Sequence, residues 1–148
     1  MTAQYMFALL AIAVGGACIA VQAPINARLG SFAGDPVVAA AISFIVGAVV
    51  LSVIVVLRGA VPSVGQMADA PWWAWVGGAL GAVYVWAAVW SVGTLGVVTM
   101  VAALIFGQLA AALALDAIGA FGLQVRDISW TRIAAVALVA AGLVLSRL

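Results

Sequence analysis

Five apolar stretches follow one another along this chain, and no charged side chain sits in the middle of any of them. That pattern decides the solvent. A helix that crosses a bilayer needs about 20 predominantly apolar residues, each adding about 1.5 Å of rise. A water-soluble domain of 148 residues has no interior large enough to hide a chain that is 69% hydrophobic. The expected fold is therefore an all-α integral membrane protein. One domain covers 1–148, with spans at about 5–27, 36–57, 71–92, 95–115 and 128–146.

The charge inventory limits what such a bundle does. Five arginines and four aspartates are the whole set of side chains charged at neutral pH, and histidine, lysine and glutamate are absent. An ionisable group at a helix centre costs roughly 2.5–3.5 kcal/mol, so scarcity is expected. A net charge of +1 gives no field to attract nucleic acid. The single cysteine, Cys18, lies in an apolar run and reads as a small hydrophobe. No disulfide, haem motif or metal-ligand cluster is available, and no nucleophile–base pair. The chain reads as a non-enzyme without cofactor or metal. Its first twenty residues resemble a signal peptide, but they lack a basic start and run apolar too long, so they read as the first span.

Local signals place the spans. Asp35-Pro36 is an N-cap followed by proline at the first helical position, and Ala70-Pro71 has the proline without the cap. Trp72, Trp73 and Trp75 follow at once, as an interfacial aromatic belt would, and Trp90 and Trp130 fit the belt at other ends. Residues 91–94 are barely a turn, which predicts a tight hairpin of the third and fourth helices. An odd number of spans puts the termini on opposite sides. With the N-terminus inside, Arg58, Arg126 and Arg132 face inward, and Arg28 and Arg147 outward. So small a bias fits either a single N-in orientation or insertion both ways with pairing of inverted copies.

Small residues are abundant. Gly77 and Gly81 make a GxxxG face, and Ser43/Gly47 and Ala103/Gly107 make small-xxx-small faces, which read as helix packing. A short echo, Val14-Gly15-Gly16-Ala17 and Val76-Gly77-Gly78-Ala79, gives Gln22 and Tyr84 equivalent positions.

Polarity is costly in such helices, so the polar residues are the candidates for function. Gln22 and Asn26 are four apart and share a helix face around Pro24, where a kink is expected. The amides and the freed carbonyl either line a solute path or satisfy the kink. Arg28 is placed to snorkel to headgroups. Gln108 is an amide near the middle of the fourth span, where it serves as interhelical glue or as a solute contact. Asp116 lies near the membrane edge, as a coupling carboxylate or a solvated helix end. It opposes the helix dipole there, which predicts an arginine partner. Tyr84 and Trp86 are aromatic candidates for a solute wall, against plain core or lipid packing.

Gln22-Ala-Pro-Ile-Asn26-Ala-Arg-Leu-Gly30, Asp35-Pro36 with Ser43-Phe44 and Gly47, Pro71-Trp72-Trp73 with Gly77-Gly78 and Gly81, and Gly107-Gln108 with Asp116 and Gly119 come in an order that resembles the YdcZ-type inner-membrane exporters of the drug/metabolite transporter superfamily. The resemblance covers nearly the whole chain. It implies a five-helix half-transporter that works as an antiparallel dimer, with itself or with a paralogue, in a bacterial-type inner membrane. Many relatives carry a histidine after the aspartate. Here the run is Asp116-Ala117-Ile118-Gly119, so no histidine role carries over. The expected function is transport of a small neutral, zwitterionic or lipophilic solute by alternating access. Gln22, Asn26, Tyr84, Trp86 and Gln108 are expected to line the path near the midplane. Inversion would bring Arg28 of one copy to the membrane face of Asp116 of the other, as a contact or gate. The rival readings are a dual-topology ion channel and a structural subunit that transports nothing.

Overall fold

A computed structural model describes residues 2–148, the side chain of Gln66 excepted. The described residues form helices and loops, with no strand among them. The helices are α1 (Ala3–Ala33), α2 (Pro36–Leu57), α3 (Val64–Ala68), α4 (Val76–Leu95), α5 (Val97–Ile118) and α6 (Trp130–Leu145). A 3-10 turn, Trp72–Trp75, leads into α4, and another, Ala120–Gly122, follows α5.

Four segments are long and apolar enough to cross a membrane: α1, α2, Trp72–Leu95 and α5. The fifth expected span differs. The helix α6 has 16 residues, which at the α-helical rise is about 24 Å against a hydrocarbon core of about 30 Å. Its start is fixed by Ser129, whose hydroxyl accepts from the Arg132 backbone N–H at 3.4 Å. Helix geometry is thereby confined to 130–145, inside the expected 128–146.

The expected 36–57 span matches α2. The Asp35 carboxylate accepts from the N–H groups of Val37 (2.6 Å) and Val38 (3.1 Å), and Pro36 follows where its missing N–H costs nothing. The first helix is longer than expected. It has 31 residues, about 46 Å at the helical rise, and remains one helix through Pro24 and Arg28. It ends at Gly34, in the left-handed region at φ 78°, whose N–H donates to the Gly30 carbonyl at 2.9 Å. The expected turn at 91–94 lies inside α4. Ser91 stays helical with its hydroxyl donating back to the Ala88 carbonyl at 3.5 Å. The break falls instead on Gly96, at φ 74° and ψ 163°, a conformation open essentially only to glycine.

The chain divides into two compact units, Met1–Thr94 and Leu95–Leu148. In the first, α1 packs on α2. Gly30 lies at that approach, where an added methyl group would meet Ala39 at 3.6 Å and Pro36 and Val89 at 3.7 Å, ordinary van der Waals distances. Ala39, Ala40, Val85 and Val89 form the core, with Leu29 and Tyr84 packed against it. Of the expected GxxxG face, Gly81 lies under the Phe44 ring, while Gly77 has open space around it. In the second unit α5 packs on α6, and buried Thr99 donates to the Ser146 carbonyl at 3.3 Å.

No large side chain is fully buried among the described residues, and apolar side chains such as Leu10, Val46 and Val98 point outward. Such a surface suits lipid or a protein partner and not water.

Candidate solute site

Three of the expected site residues come together in the first unit. Asn26 is buried at 5% exposure and donates from Nδ2 to the Ser43 hydroxyl at 3.0 Å. Gln22, one turn earlier on α1, donates from Nε2 to the same oxygen at 3.2 Å. Ser43 thus bridges two amides that the four-residue spacing puts on one face. Tyr84, from α4, joins Gln22 and Asn26 in lining a crevice of about 10 Å³, room for little more than a water.

Each amide commits one N–H, and its other N–H and its carbonyl have no partner among the described residues. No enclosed side-chain nitrogen or oxygen lacks a partner among the described residues. The free ends of these amides therefore reach accessible space. In an apolar helix pair that is where a polar solute or a water would be held.

The other expected residues stand elsewhere. Trp86 is not in the crevice. Two residues beyond Tyr84, it points off another face of α4 and stacks on Trp90 with centroids 6.3 Å apart and planes at 21°. Gln108 lies in the second unit, on the exposed side of α5, with no hydrogen-bond partner among the described residues. Arg28 is exposed and sits over the Phe32 ring, 4.6 Å from its centroid, a cation–π contact.

Asp116 has the arginine partner its place at a helix C-terminus predicts. The partner is Arg132 of its own chain, which closes a salt bridge on the carboxylate. Arg132 also donates to the Asp127 carbonyl at 3.4 Å, and the Arg126 N–H donates to the Asp116 carbonyl at 2.9 Å. The arginine therefore fastens the 119–129 loop across the ends of α5 and α6. An approach of Asp116 to Arg28 of an inverted copy would have to compete with this bond.

Sequence reasoning places Ser43 in small-residue packing and in the family pattern, and Arg132 in the count of loop charges, and gives neither a hydrogen-bonding role. The signal for Ser43 is that a hydroxyl in an otherwise apolar helix is the natural complement of an amide pair in its neighbour.

A family model described as "Putative inner membrane exporter, YdcZ" matches residues 6–145. The chain belongs to this family. It is accordingly a multi-pass protein of the inner membrane, in a family of transporters and not of enzymes. The YdcZ match spans both units, so the polar cluster of the first and the salt bridge of the second fall within it. No curated protein and no solved structure matches the chain.

Proposed function

We propose that the chain carries a small neutral, zwitterionic or lipophilic solute across the inner membrane by alternating access, as a pair of inverted copies with five spans each. The observation that carries this reading is the Gln22–Ser43–Asn26 cluster with Tyr84 beside it. Uncharged hydrogen-bonding groups are gathered inside apolar helices, and part of their capacity is left unused. Packing alone would need a satisfied pair, while a solute path needs the free ends.

The pairing of copies draws support from Gln108. An amide exposed halfway along α5 is costly in lipid, and a second copy is the simplest source of its partner. In this reading Gln108 meets the other copy, Asp116 and Arg132 act as a structural tie, and α6 crosses with Ile128, Ser129 and Ser146 extending it.

Reconstituted protein tests the proposal. A solute found by thermal-shift screening stabilises the folded state by about 2.7 kcal/mol at a hundred times its dissociation constant. Its flux into liposomes should be lost in Asn26→Leu and reduced in Ser43→Ala. Flux undiminished in both variants would assign the path to another part of the protein.

A further inference from the structure

Beside the crevice, between α1, α2 and α4, lies a groove of about 290 Å³. Gln22 and Ser43 form one end, and Phe44, Gly47, Leu51 and Val85 line the rest. Along α2 the eight helical steps from Ser43 to Leu51 correspond to about 12 Å. The groove is therefore polar at one end and apolar over the remainder. No lining group is charged, so an ion entering it would lose its hydration without a counter-charge.

The polar end sets the chemistry. Gln22 there keeps a carbonyl and an N–H uncommitted, so it accepts and donates at once. A hydroxyl is the smallest group that meets both. The floor is Gly47, which has nothing within 4 Å of where a Cβ would stand. Its missing side chain leaves the volume open, and no packing contact requires glycine there.

We infer that this groove binds an uncharged amphipath, an alcohol or phenol with an apolar body about as long as the groove. Its hydroxyl sits at Gln22 and Ser43, and its body lies over Gly47 towards Leu51. The inference rests on the transport reading and narrows its solute class. It also implies that the solute enters from the lipid and not from bulk water.

Photolabelling of the full-length protein in liposomes with a diazirine-bearing octanol tests this. Labelling is expected within residues 43–51, saturable, competed by octanol and not by octanoate or octylammonium. Gly47→Leu starts from a Cβ in open space, directs its side chain into the groove and should cut labelling about tenfold, the scale on which a pocket discriminates side-chain-sized differences. Gly47→Ala, a smaller filling, should retain most of it and controls for folding. Unsaturable label spread over the lipid-facing helices would overturn the inference. So would equal competition by the ions, or full labelling in folded Gly47→Leu. Flux of another solute that still depends on Asn26 would, in those cases, leave the transport reading standing. Failure of every solute to cross would defeat that reading separately.

Discussion

Asn26 on α1 and Gln22 one turn before it both donate to a single oxygen, the Ser43 hydroxyl of α2, at 3.0 and 3.2 Å. The pair of helices is thereby fixed in register by three uncharged side chains. Removing the bridge should affect stability and transport by different amounts. Ser43→Ala is expected to destabilise the protein in detergent by about 0.6–1.7 kcal/mol, the range for interhelical hydrogen bonds in bilayers. Asn26→Leu should abolish solute flux. Denaturation by a titrated harsh detergent measures the first, and liposome uptake the second.

The Asp116–Arg132 salt bridge is about a quarter to a third exposed, with side-chain exposures of 26% and 31%. A double-mutant cycle with Asp116→Asn and Arg132→Gln should give a coupling energy of about 1 kcal/mol, at the upper end for partly exposed pairs. Each single variant should loosen the 119–129 loop, read as faster proteolysis there, while leaving flux largely intact. A coupling energy near zero would show that the loop is held by its backbone alone.

Two glycines should respond oppositely to a methyl group. Gly119 has φ 60°, and a Cβ there would stand 2.7 Å from Val125 Cγ2 and 2.9 Å from the Leu123 carbonyl oxygen. Gly119→Ala is expected to cost at least about 1–2 kcal/mol from the left-handed backbone alone. Gly30 is helical, and the same group would meet its neighbours at 3.6–3.7 Å, ordinary contact. Gly30→Ala should be neutral or stabilising by up to about 1 kcal/mol. Thermal unfolding of the two variants side by side checks the contrast.

Pairing of inverted copies through α5 predicts a cross-linking pattern. With Cys18→Ser as background, since Cys18 is exposed, Gln108→Cys should form a dimer on mild oxidation. Ile105 and Ala111 lie one turn to either side on the exposed surface. Cysteines at 105 in one copy and 111 in the other should cross-link, and two cysteines at 105 should not. The reverse result would establish parallel copies.

The legible parts of the fold are those where one residue carries the signal. Asp35-Pro36 marks the start of α2 without help from any other helix. The end of α1 is different. Gly30 and Gly34 are both plausible stops in sequence, and packing of Gly30 against Ala39 and Val89 keeps it helical and passes the stop to Gly34. The joint after α4 is expected at 91–94 and falls on Gly96, since local propensity does not choose between a glycine at 93 and one at 96.

The candidate site was half legible. The four-residue spacing of Gln22 and Asn26 predicts a shared face, and the shared hydrogen-bond partner follows from it. The partner itself is hidden, because a serine in a helix can always turn its hydroxyl to its own backbone. Tyr84 and Trp86 had the opposite defect. Both are aromatic, but a separation of two residues directs them away from each other, and only Tyr84 reaches the amides.

The unequal helices have a further consequence for the surrounding lipid. At about 46 Å, α1 exceeds an ordinary hydrocarbon core, and at about 24 Å, α6 falls short of one. No single bilayer thickness satisfies both. In the five-span reading the long helix leans or protrudes, and the short one crosses only with the help of its flanking residues or of a local thinning of the bilayer, so acyl-chain length becomes a control on how this protein stands in its membrane.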